Sequence, residues 1–208
     1  MEKDLLHLPA IVVAVSKNRT KEDICRLYDQ GFCIFGENRV QELLTKIDID
    51  RPVVWHLIGH LQSNKVRSVV THCALIHSVD SYKLLTEINK EASKQNKISH
   101  VLIQVNIAEE DTKFGIPAQE LIPLVKQAAA LDHILIQGIM VIGPHTEDQA
   151  RIQTVFTAGK NLFDQLHEIN QANLQPSYLS MGMSHDYETA LACGSNMVRL
   201  GTLLFTTY

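Results

Sequence analysis

Uninterrupted runs of apolar residues alternate along this chain with segments whose apolar residues recur every three or four positions. The first run, Ile11-Val-Val-Ala-Val-Ser-Lys17, is typical of a strand buried on both faces, as in a parallel sheet. The segments between the runs have the spacing of an amphipathic helix. Strands are predicted at residues 11–17, 32–35, 53–58, 74–77, 100–107, 134–141, 178–180 and 196–200. Helices are predicted at residues 20–30, 37–47, 62–70, 80–95, 117–131, 146–173 and 184–193, with Thr20, Asp80 or Ser81, Thr146 and Ser184 as N-caps.

This alternation points to a parallel sheet, and eight strands are the number that closes a (β/α)8 barrel. An open doubly wound sheet is the alternative architecture, but the Gly-x-Gly-x-x-Gly turn typical of that fold is missing after the first strand. The sequence has no evident linker, repeat or low-complexity segment. We therefore predict one α/β domain, residues 1–208, folded as a single (β/α)8 TIM barrel.

Composition narrows the range of functions. The chain has 208 residues, 45% of them hydrophobic, which suffices for one sizeable core but is short for two domains. Its formal charge of −4, with both signs interspersed, argues against a nucleic-acid partner. The sequence lacks both a run long enough for a membrane span and the features of a signal peptide, so we expect a cytoplasmic protein.

Lys17 stands where the first apolar run stops. In α/β barrels the binding and catalytic groups collect at the carboxyl ends of the strands. A lysine there can present a neutral, nucleophilic amine in a partly dry site. The alternative is a lysine that ends a strand and points into water, and this segment alone favours that alternative.

A second candidate feature lies near the end of the chain. Ser180-Met-Gly-Met-Ser184 follows the seventh strand, and Ser184 as an N-cap leaves backbone N–H groups available to a phosphate. After the eighth strand, Arg199 is followed by Gly201, which permits close approach of a ligand, and by Thr202 with its hydroxyl. Barrels often bind phosphate between these two loops, and strand eight is the neighbour of strand one. An amine beside a phosphate seat is the layout of a pyridoxal phosphate site, although ordinary turns and a surface arginine remain the alternative.

Other constellations are weaker. Ser184, His185 and Asp186 are triad residue types, but adjacent side chains on a helix diverge. His56 and His60 fall on a strand and the loop after it without a nearby carboxylate, so we predict structural or solvent-facing histidines and no metal site. Phe114 is interpreted as core or loop packing.

Several segments together resemble the pyridoxal phosphate homeostasis protein family, relatives of the N-terminal barrel of alanine racemase. They are Ala14-Val-Ser-Lys17, Gly36-Glu-Asn-Arg-Val-Gln-Glu42, His56-Leu-Ile-Gly-His-Leu-Gln-Ser-Asn-Lys65, Gly138-Ile-Met140, Ser180-Met-Gly-Met-Ser-His-Asp186 and Val198-Arg-Leu-Gly-Thr202. The resemblance implies a barrel that binds pyridoxal 5'-phosphate (PLP) as a Schiff base on Lys17. It further implies phosphate contacts from Ser184, Gly201 and Thr202, Arg199 facing the pyridine nitrogen, Asn38 beside the ring and Lys113 near the site.

The resemblance implies a protein that holds, buffers or delivers PLP to PLP-dependent apo-enzymes. An arginine facing the ring nitrogen keeps that nitrogen unprotonated and the ring a poor electron sink. Because the sequence stops directly after the predicted barrel, we also expect it to lack the additional domain from which alanine racemase takes its second acid–base group, a tyrosine. We therefore assign no catalytic residue, and the alternative is a low-activity racemase or another Schiff-base enzyme.

The chain departs from the family at both ends. Only about ten residues precede the first strand, where the family usually has a helix, and the chain ends in Phe205-Thr-Thr-Tyr208 instead of Phe-Gly. The flank where strands eight and one meet is thus expected to be thinly covered. We hypothesise that Met1–Pro9 or a neighbouring subunit covers it, in a monomer or a weak homodimer.

Overall fold

Eight parallel strands close into a barrel in the computed structural model, which describes residues 4–108, 110 and 113–207. The strands follow one another around the barrel in chain order, and β1 closes on β8 in a register that pairs Ile11 with Met197 and Ala14 with Leu200. The closure confirms the (β/α)8 prediction and excludes the open doubly wound sheet. The boundaries 1–208 of the domain stay a prediction, because both chain ends extend beyond the described residues.

The elements agree with the predicted alternation. The strands are β1 (Ile11–Val15), β2 (Ile34–Glu37), β3 (Val54–Leu57), β4 (Leu75–Val79), β5 (Ser99–Val105), β6 (Ile134–Val141), β7 (Leu174–Met183) and β8 (Met197–Leu200). The α-helices are α1 (Lys21–Asp29), α2 (Val40–Leu44), α3 (Val66–His72), α4 (Tyr82–Lys94), α5 (Leu121–Gln127), α6 (Gln149–Leu166), α7 (Tyr187–Ala192) and α8 (Thr202–Thr207). Short 3-10 helices precede α3 and flank α5, at Ser63–Lys65, Ala118–Glu120 and Ala128–Ala130.

The predicted starts of the second helix, at Glu37, and of the sixth helix, with Thr146 as its cap, are wrong. Helix α6 is capped by Asp148, whose carboxylate accepts from the N–H groups of Ala150 and Arg151 at 3.0 and 3.3 Å. Thr146 instead accepts from the Asp148 N–H in the turn before it. Glu37, expected to begin the second helix, is the last residue of β2 and is fully buried. Thr20 and Ser81 cap α1 and α4 as predicted.

Side chains alternate along the strands between two packed layers. Val13, Leu75, Leu102, Met140 and Met197 come from five strands around the barrel and form one buried cluster. Only the barrel interior brings residues of these strands into contact. Their chain neighbours, such as Ala14 and Ile103, pack in the layer between the sheet and the helices. Apolar side chains thus fill the barrel interior away from the carboxyl ends of the strands, and polar side chains gather towards those ends.

The flank between β8 and β1 is covered by the chain itself. Leu5 is fully buried and packs in a cluster with Leu204 and Phe205 of α8, a helix that the sequence did not predict. The Arg19 guanidinium lies 4.5 Å from the centre of the Phe205 ring. The hypothesised cover by N-terminal residues is therefore present at Leu5, whereas cover by a neighbouring subunit stays a prediction; Met1–Lys3 and Tyr208 lie outside the described residues. No helix in the described part of the chain has the length and hydropathy that a membrane crossing requires.

Candidate functional site

The six predicted cofactor residues lie at one half of the carboxyl end of the barrel. Lys17 and Asn38 follow β1 and β2, Ser184 follows β7, and Arg199 is in β8, directly before the predicted phosphate residues Gly201 and Thr202. Because β7, β8, β1 and β2 are consecutive around the closed barrel, these residues share one rim although up to 185 positions separate them in sequence. The juxtaposition inferred from barrel topology is therefore present.

Lys17 lies in the turn after β1 and its side chain is exposed. The strand ends at Val15, two residues earlier than predicted, so Lys17 stands in the turn after the strand and not at its last position. The loop after β8 lies beside this turn, because a Cβ added to Gly201 would stand 3.4 Å from that of Val15. The turn that carries Lys17 and the loop after β8 therefore follow neighbouring strands of the barrel.

Ser184 is not a helix N-cap. Helix α7 begins at Tyr187, and the Asp186 carboxylate bonds the Met183 N–H at 2.6 Å to form the turn between β7 and α7. The Ser184 hydroxyl oxygen accepts from the Gly201 N–H at 3.3 Å. The serine therefore joins the loops after β7 and β8 directly.

Asn38 is positioned by a close backbone crossing. The residue is half-buried in the loop after β2, where Gly59 of the loop after β3 passes over its main chain. A Cβ at Gly59 would clash with the Asn38 carbonyl oxygen, so this crossing requires glycine. The Asn38 backbone is thus held against the neighbouring strand.

Arg199 is a buried interior residue of β8, only 4% exposed, and not a surface cation in the loop after it. Its Nη1 donates to the carbonyl oxygen of Ser180 at 2.8 Å and to the Ser180 hydroxyl at 2.7 Å. Its Nη2 donates to the Val141 carbonyl at 2.9 Å. Burial lowers the pKa of Arg199 to about 10 while Asp186 opposes that shift, so the guanidinium is cationic at neutral pH. Hydrogen bonds to β6 and β7 thereby fix the orientation of this β8 side chain.

Sequence reasoning missed the hydrogen-bonded chain behind Arg199. His77 Nδ1 lies 3.0 Å from the Ser180 hydroxyl, and His77 Nε2 lies 3.0 Å from His56 Nδ1. All three side chains are buried. The available signal was the position of both histidines on predicted strands, residues 53–58 and 74–77, and for His56 the sequence left a structural and a solvent-facing role open.

Arg199 determines which groups donate and which accept in this series of hydrogen bonds. The Ser180 hydroxyl accepts a hydrogen bond from Arg199, and it can therefore donate its own proton to His77 Nδ1. If His77 Nδ1 donated to Ser180 instead, the Ser180 proton would have no acceptor among the described residues. Buried hydroxyl groups are nearly always hydrogen-bonded, so this alternative is unfavourable. His77 therefore carries its proton on Nε2 and donates it to His56 Nδ1. Both histidines are neutral, because burial lowers the pKa of His56 to about 4 and that of His77 well below its usual value.

The comparisons with known proteins agree with this geometry. The alanine racemase N-terminal domain family matches residues 6–208. The pyridoxal phosphate homeostasis proteins of Pasteurella multocida and Helicobacter pylori are each 40% identical to the chain over 198 residues, which is 93% of this chain and 84% and 86% of those proteins. The chain belongs to the pyridoxal phosphate homeostasis protein family.

Solved structures support the assignment to the pyridoxal phosphate homeostasis protein family. PipY of Synechococcus elongatus without PLP is 36% identical with a TM-score of 0.90, and the match covers 97% of this chain and 94% of PipY. An alanine racemase from Clostridium difficile has a TM-score of 0.78 at 15% identity and is matched over 53% of its length. This second similarity shows the shared barrel fold alone.

The opposite half of the rim contains a stacked pair of aromatic rings. The rings of His60 and Phe114 are 4.0 Å apart and 14° from parallel, and Phe114 is 56% exposed, so it is not a core residue. His60 Nδ1 lies 3.4 Å from an Asp80 carboxylate oxygen, so the expectation of no nearby carboxylate is wrong for His60. These contacts join the loops after β3, β4 and β5, but the described residues contain no cluster of three or more potential metal ligands.

Lys113 also lies on this rim. Its ammonium donates to the Gly143 carbonyl at 2.8 Å and stands 3.0 Å from a Glu110 carboxylate oxygen. It therefore joins the loops after β5 and β6. The two residues before it, 111 and 112, lie outside the described part of the chain.

The buried His56 predicts a pH dependence of stability. The fold prefers neutral His56, with its pKa near 4, whereas the unfolded chain protonates it below the ordinary histidine pKa of 6.5. This contribution is fully present above pH 6.5 and is lost as the pH falls towards 4, by about 3 kcal/mol at most. Chemical denaturation across this range should give a steeper fall in unfolding free energy for the natural protein than for His56→Phe. Parallel curves would contradict the assignment.

Proposed function

We propose that this protein binds PLP as a Schiff base on Lys17 and serves intracellular PLP homeostasis by buffering or delivering the cofactor, without efficient amino-acid turnover. The observation that carries the proposal is that exposed Lys17 follows β1, the barrel neighbour of β8, and that the loop after β8 is joined to the loop after β7 by the bond from the Gly201 N–H to the Ser184 hydroxyl. The relatives named pyridoxal phosphate homeostasis protein support it. So does PipY with PLP bound, which is 34% identical with a TM-score of 0.87.

The donors at the joined loops fit a phosphate group. Since the Ser184 oxygen already accepts from Gly201, its hydroxyl proton is available to an anionic oxygen. Thr202 is exposed, and as the first residue of α8 it has an N–H without an intrahelical acceptor. Two hydroxyls and a backbone N–H are donors that a phosphate monoester can use. We assign Ser184 and Thr202 to the phosphate as donors on this basis, and Gly201, whose N–H donates to Ser184, as the residue that permits close approach of the phosphate.

Lys17, Asn38 and Arg199 would serve the ring of the cofactor. When bound, PLP supplies an aldehyde that condenses with an amine and an electron-poor ring. Lys17 supplies the amine, and we assign half-buried Asn38 to the ring edge. Arg199 offers donors only, so a ring nitrogen opposite it must accept a hydrogen bond and stay unprotonated.

The fixation of Arg199 supports a cofactor-holding role over an efficient enzyme. An unprotonated ring stabilises negative charge on a substrate poorly, and three buried acceptors prevent Arg199 from turning away. A weak racemase or another Schiff-base enzyme is the second candidate. Incubating the PLP-loaded protein with amino acids in deuterium oxide distinguishes the two, because racemisation incorporates deuterium at the α-carbon and a carrier does not.

Absorption and transfer experiments test the homeostasis role. The protein mixed with PLP is expected to absorb in the visible range, and borohydride should make the label permanent. We propose PLP-dependent apo-enzymes in the cytoplasm as recipients, and a monomer or weak homodimer as the carrier. Loaded protein should then restore activity to such an apo-enzyme, whereas borohydride-reduced protein should not. Equal activation by both preparations would exclude delivery.

Ser184→Ala tests the phosphate assignment. Removing one hydroxyl donor to a charged group is expected to weaken PLP binding about tenfold, measured by fluorescence or absorption titration. The matched control is Ser177→Ala, since the Ser177 hydroxyl bonds the Gln175 carbonyl nearer the other end of β7. Unchanged affinity in Ser184→Ala would remove this residue from the phosphate site.

A further inference from the structure

A buried lysine lies behind the turn that carries Lys17. Lys46 follows α2 and is 5% exposed. Its ammonium donates to the carbonyl oxygen of Ser16 at 2.7 Å and to carboxylate oxygens of Glu37 and Glu42 at 2.7 and 2.8 Å. All three ammonium protons therefore have an acceptor.

The two carboxylates extend these bonds to both neighbours of Lys17. The Glu37 oxygen that contacts Lys46 also accepts from the Ser16 hydroxyl at 2.7 Å. The Glu42 oxygen that contacts Lys46 accepts from the backbone N–H of Asn18 at 2.5 Å. The residues before and after Lys17 are thus held by one cluster, while the Lys17 side chain itself is exposed.

The turn needs such restraint. Asn18 has a φ of 59°, in the left-handed region that non-glycine residues adopt at a cost. The N–H group of this residue is the one that Glu42 holds. Glu37 is fully buried, so its carboxylate cannot exchange its protein partners for water. Few alternative positions are therefore open to the Lys17 backbone.

We propose that Lys46, Glu37 and Glu42 are positioning residues that aim Lys17 at an aldehyde carbon held by the phosphate loops. This inference rests on the proposed role of Lys17 as the Schiff-base lysine. In that step the neutral amine nitrogen bonds to the aldehyde carbon, and the aldehyde oxygen leaves with two protons as water. Fixing the amine in place favours this condensation by reducing the freedom lost when the bond forms.

Two ligands separate positioning from a general structural role. PLP can condense with Lys17, whereas pyridoxine 5'-phosphate has the same phosphate and ring but a hydroxymethyl group in place of the aldehyde. In Lys46→Met we expect PLP affinity to fall by about tenfold or more, and affinity for pyridoxine 5'-phosphate to change by less than about twofold. The control is Lys21→Met, which removes a partly exposed lysine paired with Asp48 at 2.6 Å and should change neither affinity.

A second variant keeps the test decisive, because Lys46→Met leaves the buried Glu37 without its cation and can unfold the chain. Glu42 is partly exposed, and glutamine at this position retains an acceptor for Asn18. Glu42→Gln should therefore fold and show a smaller loss of affinity, confined to PLP. Equal losses for both ligands, or no loss for either, would overturn the positioning role. Lys17→Ala tests the underlying function separately: if it leaves the preference for PLP intact, the Schiff-base assignment fails whatever the Lys46 variant does.

Discussion

Lys17→Ala is expected to abolish the borohydride-stable PLP label on the peptide that contains residue 17. The methyl group of alanine cannot condense with an aldehyde, so the remaining interaction is limited to phosphate and ring contacts. We expect PLP affinity to fall by about two orders of magnitude. Intact-mass measurement after reduction, followed by peptide mapping, gives the label position, and titration gives the affinity.

The control for this prediction is Lys21→Ala, which removes a partly exposed lysine at the start of α1. It should keep both the label and the affinity of the natural protein. The competing amine on the opposite rim is Lys113, whose ammonium already bonds the Gly143 carbonyl. A label on the Lys113 peptide of the natural protein, with the Lys17 peptide unlabelled, would contradict the assignment.

Arg199→Met is expected to lower the free energy of unfolding of the ligand-free protein by about 2–4 kcal/mol. Methionine fills part of the same volume but donates nothing, so the acceptors of Ser180 and Val141 lose their buried partner. The chain through His77 also loses the donor that determines its direction. Urea denaturation followed by circular dichroism measures the change.

Arg199→Lys provides the matched comparison. It retains a positive charge but not the planar guanidinium that reaches three acceptors at once, so its stability should fall between those of the natural protein and Arg199→Met. If Arg199→Met unfolds at the same urea concentration as the natural protein, the hydrogen bonds of Arg199 contribute nothing to the fold. Its role would then be confined to the ligand.

Local sequence signals succeeded where the deciding interactions are local. The apolar runs located every strand of the barrel, because burial on both faces of a parallel sheet requires consecutive apolar residues. The N-caps Thr20 and Ser81 were also correct, since each bonds a backbone N–H three residues ahead. These features need no knowledge of distant parts of the chain.

The same reasoning failed where a distant partner competes for the side chain. Ser184 resembles an N-cap, but its hydroxyl contacts Gly201 of the next loop, and Asp186 forms the turn before α7. Glu37 resembles the start of a helix, but its carboxylate is buried against Ser16 and Lys46. Which partner a polar side chain selects depends on which loops the closed barrel brings together.

The sequence pattern by itself determined the eight alternations, the barrel they close, and the half of its rim where Lys17, Ser184, Arg199, Gly201 and Thr202 lie. The family resemblance alone added Asn38. Strand order and burial follow from the apolar pattern, which repeats along the chain. Only the tertiary structure decided that Arg199 is an interior cation at the head of a histidine chain, that Lys17 is exposed, and that Lys46 holds its neighbours. Those arrangements join side chains from separate strands and loops through hydrogen bonds, and no periodicity along the chain encodes such contacts.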